Sequence, residues 1–129
     1  MAPQLECLLS VVKVWPGFLV VLAHEHDVRG ALSAPAGRDS YEMEAASEWL
    51  LSSWRPAEAV LVRIGEKEIA LGPETEPHLT LKTSAFESFR FRLGRRSPAQ
   101  LRAMDWSGDP GRVLDKICIF GPEPYDIIE

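Results

Sequence analysis

The sequence predicts an α+β fold, with helices first and a small antiparallel sheet with further helices after them. Up to about Pro56, apolar residues recur at the spacing of helices. Beyond this point the period changes to that of a strand, and Val60, Val62 and Ile64 fall on one face. The change of period therefore predicts a helical segment over residues 1–55 and an α+β domain over residues 56–129.

The composition is that of a globular protein, in one domain or in one small domain with an appended piece. The chain has 129 residues, of which 46% are hydrophobic and 26% charged, and a net charge of -5. This acidic balance argues against nucleic acid or anionic membrane as a partner, because both require a surplus of Lys and Arg.

The two cysteines and the amino-terminal region predict a cytoplasmic protein. Cys7 and Cys118 lie far apart and outside any CxxC spacing, so neither a zinc knuckle nor a disulfide framework is indicated. The apolar run over residues 14–23 is too short to span a bilayer, and Pro16-Gly17 interrupts it. The basic region of a signal peptide does not precede this run. We interpret the run as part of a buried helix.

Three helices are expected in the amino-terminal segment. The first would end or kink at Trp15, before the proline, and the second covers about residues 18–32. The third begins at a capping box formed by Asp39 and Glu42 and ends near Trp54. The apolar residues that support the first and third helices are Leu5, Leu8, Leu9, Val12, Ala45, Ala46, Trp49 and Leu50.

Short strands and further helices are expected after Pro56. Gly65-Glu66 turns the first strand into a returning strand over residues 67–71, and a third strand alternates from Leu79 to Thr83. Three later helices are expected. The first begins at a capping box formed by Ser84 and Glu87 and is closed by Gly94. The other two begin at Ser97-Pro98 and at Asp109-Pro110. The last of these helices would bury Val113, Leu114 and Ile117.

Residues 24 to 29 carry the ligand chemistry of the chain, with two histidines and two acids after an apolar run. On a helix, His24 and His26 point roughly 200° apart and cannot bind one ion together, whereas His24 and Asp27 can. On a strand the two histidines would share a face. The apolar run favours the helix, and the residue one turn before His24 is Val20, which is no ligand.

The competing interpretation of this segment is structural. His24 would then be hydrogen-bonded at the end of a buried helix, with Glu25 and Arg29 paired at one-turn spacing on the solvent side.

Two further groups of residues allow a functional or a structural interpretation. Phe86, Phe89 and Phe91 could line an apolar pocket for a small hydrophobic ligand or could be plain core. Four arginines, which could bind phosphate, are better explained by a solvated helix face and its exit turn. These are Arg90, Arg92, Arg95 and Arg96.

Short motifs in a shared order resemble the mycothiol-dependent maleylpyruvate isomerase family. The segment from His24 to Leu32, followed by Pro35 and Gly37-Arg38-Asp39, resembles the last helix and exit loop of the DinB-like bundle of that family. Motifs in the second half resemble its accessory domain, which is similar to sterol carrier proteins. They are Leu71-Gly72-Pro73, Gly94 to Ser97 with Gln100, Asp105 to Pro110, and Phe120-Gly121-Pro122.

The resemblance implies a divalent metal, zinc, and the thiol mycothiol as cofactors, but with an incomplete site. In the family the metal is held by an early histidine and by a glutamate and a histidine one turn apart on a late helix. Only the last matches here, at His24, because Val20 replaces the glutamate and the chain is expected to lack the early helices. The family motif is carried by His24, Glu25, Asp27 and Arg29.

These residues predict a shortened member of the family that is not catalytic as an isolated chain. We therefore assign no catalytic residue. Two alternatives are a binding module for a small hydrophobic ligand and an interaction protein that forms a homodimer through the helices of residues 1–55. For the second alternative, exposed apolar residues are expected at Leu19, Leu22 and Trp49.

Overall fold

The computed structural model describes residues 19–32, 34 and 36–129. The helix expected from Leu5 to Val12, the turn at Trp15 and Cys7 lie outside the described residues. Helix α1 is described over residues 19–31. The other elements are α2 (Tyr41–Ser52), β1 (Val60–Ile64), β2 (Lys67–Leu71), β3 (Leu79–Thr83), α3 (Ala85–Arg92), α4 (Pro98–Arg102) and β4 (Asp105–Trp106).

The fold class is α+β, as predicted, and the chain divides into two compact units. One unit comprises residues 1–36 with Glu129, and the other comprises residues 37–128. Helix α1 belongs to the first unit, and all other helices and strands named above belong to the second. The sequence-based domain boundary, at residue 55, follows the change of hydrophobic period, whereas the compact units divide at residue 36.

Helix α2 begins one residue later than the sequence predicts. The side chain of Ser40 caps it by accepting a hydrogen bond from the backbone N–H of Met43, so the expected box of Asp39 and Glu42 is wrong. Serine and aspartate are equally good caps, and the buried position of Met43 selects the register in which Ser40 is the cap.

The four strands form one mixed sheet in the order β2-β1-β3-β4. β1 and β2 make the predicted antiparallel hairpin, and Gly65 takes a positive φ of 60° in its turn. β3 runs parallel to β1, which differs from the expected antiparallel sheet. The reason is that β2 ends beside Val60 and β3 starts beside the same residue, so the connecting loop crosses the end of β1.

One face of this sheet is buried in the core of the second unit. Trp54 and Phe91 meet edge to face there, with ring centroids 6.4 Å apart. Buried side chains from α2, the strands, α3, α4 and the last segment complete this core; they include Leu51, Val60, Val62, Leu71, Leu79, Leu81, Leu101, Val113 and Ile117.

Helix α3 starts and stops where the sequence predicts, and helix α4 starts where it predicts. Ser84 and Ser97 cap them, and Ser97 forms a reciprocal capping box with Gln100. Gly94 follows α3 with a φ of 78° and lies against the backbone carbonyl of Gly121, so a side chain at this position would collide with the chain. The carboxylate of Glu87 binds Arg96 instead of closing a capping box at Ser84.

The helix expected from Asp109-Pro110 is wrong. Backbone bonds from Val113 and Leu114 to the carbonyl of Pro110 close one turn, and the chain then continues without regular structure. Lys116 interrupts any helix, because its φ is 64°. Burial of Val113 and Ile117 agrees with the prediction, although it does not require a helix. In the described part of the chain, no helix has the length and apolar character to cross a membrane.

Candidate functional site

The segment from His24 to Arg29 is helical, and it separates the two histidines as helix geometry predicts. The side chain of His24 is 73% exposed, whereas His26 is only 2% exposed. His24 Nδ1 lies 3.9 Å from Asp27 Oδ2, one turn further along α1. His24 and Asp27 therefore remain the only two neighbours of this segment that could share an ion on one face.

These donors do not fit a catalytic zinc ion. Zinc catalysis requires about three protein ligands in a shaped site, and Val20 stands exposed one turn before His24. Within residues 19–32, 34 and 36–129, no three His, Cys, Asp or Glu side chains are grouped closely enough to hold a metal ion. The resemblance to a zinc enzyme thus has no complete ligand set in the described chain.

Glu25 and Arg29 pair on the exposed side of α1, as the structural interpretation of the segment predicts. Arg29 Nε donates to Glu25 Oε1 at 3.1 Å, and the second guanidinium nitrogen lies at the same distance. His24 lies in the middle of α1 and is exposed, not at the end of a buried helix, so that part of the structural interpretation is wrong. The buried histidine of this segment is His26.

Large apolar side chains are exposed along α1 and at Leu32, directly after its end. Val20, Val21, Val28 and Leu32 have exposed fractions of 56%, 68%, 58% and 72%. We call Val21, Glu25, Val28 and Leu32 the α1 seam. Leu19 and Leu22 are expected from the sequence to be exposed, but their exposed fractions are only 8% and 7%, so the expectation is wrong for both. Trp49, also expected to be exposed, has an exposed fraction of 40%.

The three phenylalanines of α3 are all buried. Phe91 lies in the core against Trp54, and Phe89 is fully buried. The ring of Phe86 packs against two guanidinium groups, at 4.3 Å from that of Arg38 and 5.9 Å from that of Arg90. The rings of these phenylalanines line neither the pocket beside α4 nor the pocket over the sheet.

The arginines of α3 and its exit turn are not a solvated face, and that expectation is wrong. Arg90, Arg92 and Arg96 have exposed fractions of 2%, 3% and 6%. Arg96 makes a two-bond ion pair with Glu87, with distances of 3.0 and 2.7 Å. A phosphate site at Arg92 and Arg96 is not supported either, because protein acceptors already occupy these guanidinium groups.

Arg92 makes four hydrogen bonds to distant parts of the chain. It donates to the backbone carbonyls of Leu50, Lys116 and Ile117 and to the hydroxyl of Ser53, at 2.8 to 3.0 Å. Burial lowers the pKa of Arg92 to about 10, which leaves it charged at neutral pH. The guanidinium therefore ties the end of α2 to the last segment of the chain.

A sequence signal for this burial existed. Arg90 follows Phe86 by four positions and Arg92 follows Phe89 by three, so each arginine lies on a helix face with a buried aromatic ring.

A second group of charges crosses the other face of the sheet. Glu68, Arg63, Lys82 and Asp105 are in register on the four neighbouring strands. Arg63 pairs with Glu68 at 3.2 Å. A shallow pocket of about 350 Å³ lies over Arg63 and Lys82, but the flanking carboxylates balance both cations.

Comparison with known proteins identifies no relative. No protein-family model, curated protein or solved structure matches this chain.

Proposed function

We propose that this chain is a non-catalytic member of the mycothiol-dependent maleylpyruvate isomerase family that acts as an interaction protein. In this proposal, α1 pairs with α1 of a second copy. The observation that carries the proposal is the exposure of three large apolar side chains on α1 and of Leu32 directly after it.

The ligand set of α1 supports the non-catalytic part of the proposal. His24 has one carboxylate neighbour, and the position that would supply the next ligand is Val20. An exposed imidazole with a single carboxylate in reach does not hold zinc in a catalytic geometry. Mycothiol and zinc are therefore not assigned to the isolated chain.

The exposed residues of α1 support a protein partner. A helix whose two faces both carry apolar residues is normally covered on both. On α1, Leu19 and Leu22 are buried, whereas Val21 and Val28 face solvent. Contiguous exposed apolar patches of a few hundred Å² tend to mark interaction sites.

The spacing and charges of the α1 seam support a second copy as that partner. Positions 21, 25, 28 and 32 follow the alternating four- and three-residue spacing of a coiled coil. In an antiparallel pair, Val21 faces Leu32 of the second copy, and Glu25 faces Val28 of the second copy. Glu25 then lies within one residue of Arg29 of the second copy, so the pair is complementary in charge as well as in shape.

The expected dimer is weak. The seam is only about three helical turns long, so the interface is at the low end of the range for specific protein contacts. A dissociation constant on the order of 10 μM is expected for contacts of this class.

Sedimentation equilibrium over a wide concentration range tests the interaction. The wild-type chain should change from monomer to dimer, and Val28→Glu should weaken the dimer at least tenfold, because it places a second carboxylate opposite Glu25 of the second copy. Ile128→Glu is the matched control, because Ile128 is 91% exposed outside α1, and it should dimerise like the wild type. If Val28→Glu dimerised as strongly as the control, the seam would not be the interface.

Metal analysis of the purified chain tests the non-catalytic part separately. Zinc should be well below one ion per chain and unchanged by His24→Ala. One tightly bound zinc per chain that His24→Ala removes would contradict this part without bearing on the dimer.

A further inference from the structure

A pocket of about 300 Å³ lies between α4 and the last segment of the second unit. Leu101, Leu114 and Pro122 supply apolar walls, Cys118 contributes its buried thiol, and Asp115 and Lys116 also line it. This volume is at the small end of the range for ligand sites, which are typically apolar with few polar groups. The pocket therefore suits a small molecule.

The wall formed by the last segment is held in place although it has no regular structure. Gln100 of the α4 capping box donates to the carbonyl of Ile127 at 2.8 Å and accepts from its N–H at 3.2 Å. Ser97 donates its hydroxyl to Asp126, and the N–H of Glu123 donates to the carbonyl of Arg96 at 3.0 Å. A pre-formed wall of this kind lowers the entropic cost of binding.

Lys116 is held at the pocket in a backbone conformation that its side chain disfavours. Its φ is 64°, and Arg92 fixes the peptide carbonyl of Lys116 at 3.0 Å. Lysine in this region is uncommon, and such outliers are concentrated at functional sites. Among the described residues, no carboxylate forms an ion pair with Lys116, which leaves its ammonium group available to a ligand.

The thiol of Cys118 behaves as part of the apolar wall. Burial raises the pKa of Cys118, so the sulfur stays protonated and neutral at physiological pH.

We propose that this pocket binds a small molecule with an apolar body and an anionic head, the body between Leu101 and Leu114 and the head paired with Lys116. The proposal goes beyond the dimer, because the pocket belongs to the second unit and shares no residue with α1. Asp115 at the same pocket opposes an anion, so the contribution of Lys116 must be measured directly.

Hexanoate, an anion with a short apolar chain, is a suitable probe. Hexylamine, which is cationic, and 1-hexanol, which is neutral, are the comparison ligands with the same apolar chain. Titration of the isotope-labelled full chain, followed by amide chemical shifts, should give saturable shifts confined to the pocket. For a probe of this size, a dissociation constant on the order of 1 mM is expected. 1-Hexanol should bind more weakly than hexanoate, and hexylamine more weakly still.

Four variants separate the pocket from the rest of the surface. Leu114→Trp should fill the pocket and abolish the shifts, whereas Leu61→Trp, on the other face of the sheet, should leave them unchanged. Lys116→Gln should weaken hexanoate binding by about threefold without affecting 1-hexanol, whereas Lys116→Arg should retain it.

Several results would overturn the proposal. One is the absence of localised, saturable shifts, and another is undiminished binding by a folded Leu114→Trp variant. If Leu114→Trp does not fold, Lys116→Gln decides, and equal affinity of Lys116→Gln and the wild type for hexanoate would overturn the proposal. Tighter binding of hexylamine than of hexanoate would also overturn it.

Discussion

Replacing Arg92 by methionine should destabilise the second unit by about 3 kcal/mol. Arg92 makes four hydrogen bonds, three of them to backbone carbonyls. Two of these acceptors, the carbonyls of Lys116 and Ile117, would be left without the guanidinium donor. An acceptor left unsatisfied in the interior costs about 1.5 kcal/mol, so the two together give the expected loss of about 3 kcal/mol.

The loss should appear mainly at the last segment of the chain. Leu50 O also accepts bonds from the backbone and side chain of Ser53, so it keeps partners when the guanidinium is removed. The carbonyls of Lys116 and Ile117 lose the donor that Arg92 provides. Amide hydrogen exchange in residues 116–119 should therefore accelerate most.

Urea unfolding followed by circular dichroism measures the effect. The midpoint for Arg92→Met should fall by about 1.5 M, given a typical dependence of about 2 kcal/mol per M. Arg92→Lys should be destabilised at least as much, because it keeps the cost of burying a charge but satisfies fewer acceptors. Arg102→Met is the matched control on exposed α4 surface and should change stability by less than about 0.5 kcal/mol. Equal stability of Arg92→Met and the control would refute the reasoning.

Three further changes have defined outcomes. Glu87→Gln should destabilise the chain by about 1 to 2 kcal/mol in urea unfolding, because it leaves the charge of buried Arg96 without its carboxylate; an unchanged midpoint would show that the pair contributes nothing. Lys116→Gly should stabilise the chain by about 0.5 to 1 kcal/mol, because glycine adopts a positive φ without strain, and a lower midpoint would contradict this. In a Cys7→Ala background, stability should fall as pH rises above about 9, because burial raises the pKa of Cys118 and the folded state disfavours the thiolate. Cys118→Ala should remove this pH dependence, and a dependence that persisted would assign it to another group.

Local features of the fold could be predicted from the sequence. The strands β1 to β3 and the caps at Ser84 and Ser97 depend on residues within a few positions of one another, and all are found where the patterns place them. The parallel pairing of β3 with β1 could not be predicted, because strand alternation does not specify which edge of the hairpin a later strand joins.

The buried arginines show which part of the site could not be predicted: their spacing from Phe86 and Phe89 places them on faces of α3 with aromatic residues, but it does not reveal their hydrogen-bond acceptors. Charged residues at a helix end normally indicate solvent, yet Arg92 is buried because the carbonyls of Leu50 and Ile117 converge on it. These acceptors are 42 and 25 positions away along the chain, so they leave no local pattern. The same tertiary constraint holds Lys116 out of helical geometry and explains the missing last helix.

On α1 as well, the features set by local geometry could be predicted and those set by tertiary packing could not. Helix periodicity correctly separated His24 from His26, since this depends only on local geometry. Which face of α1 is buried depends on tertiary packing, so the exposed residues proved to be Val21 and Val28 instead of Leu19 and Leu22.

A charge-exchange experiment tests the antiparallel pairing of α1 most directly. Glu25→Arg and Arg29→Glu should each prevent self-association, because each places like charges beside one another across the dimer. When the two variants are mixed, every arginine again lies beside a glutamate of the other chain, and sedimentation should detect a heterodimer of near wild-type affinity. Wild-type self-association that both single variants retain, or a mixture that stays monomeric, would contradict the proposed pairing.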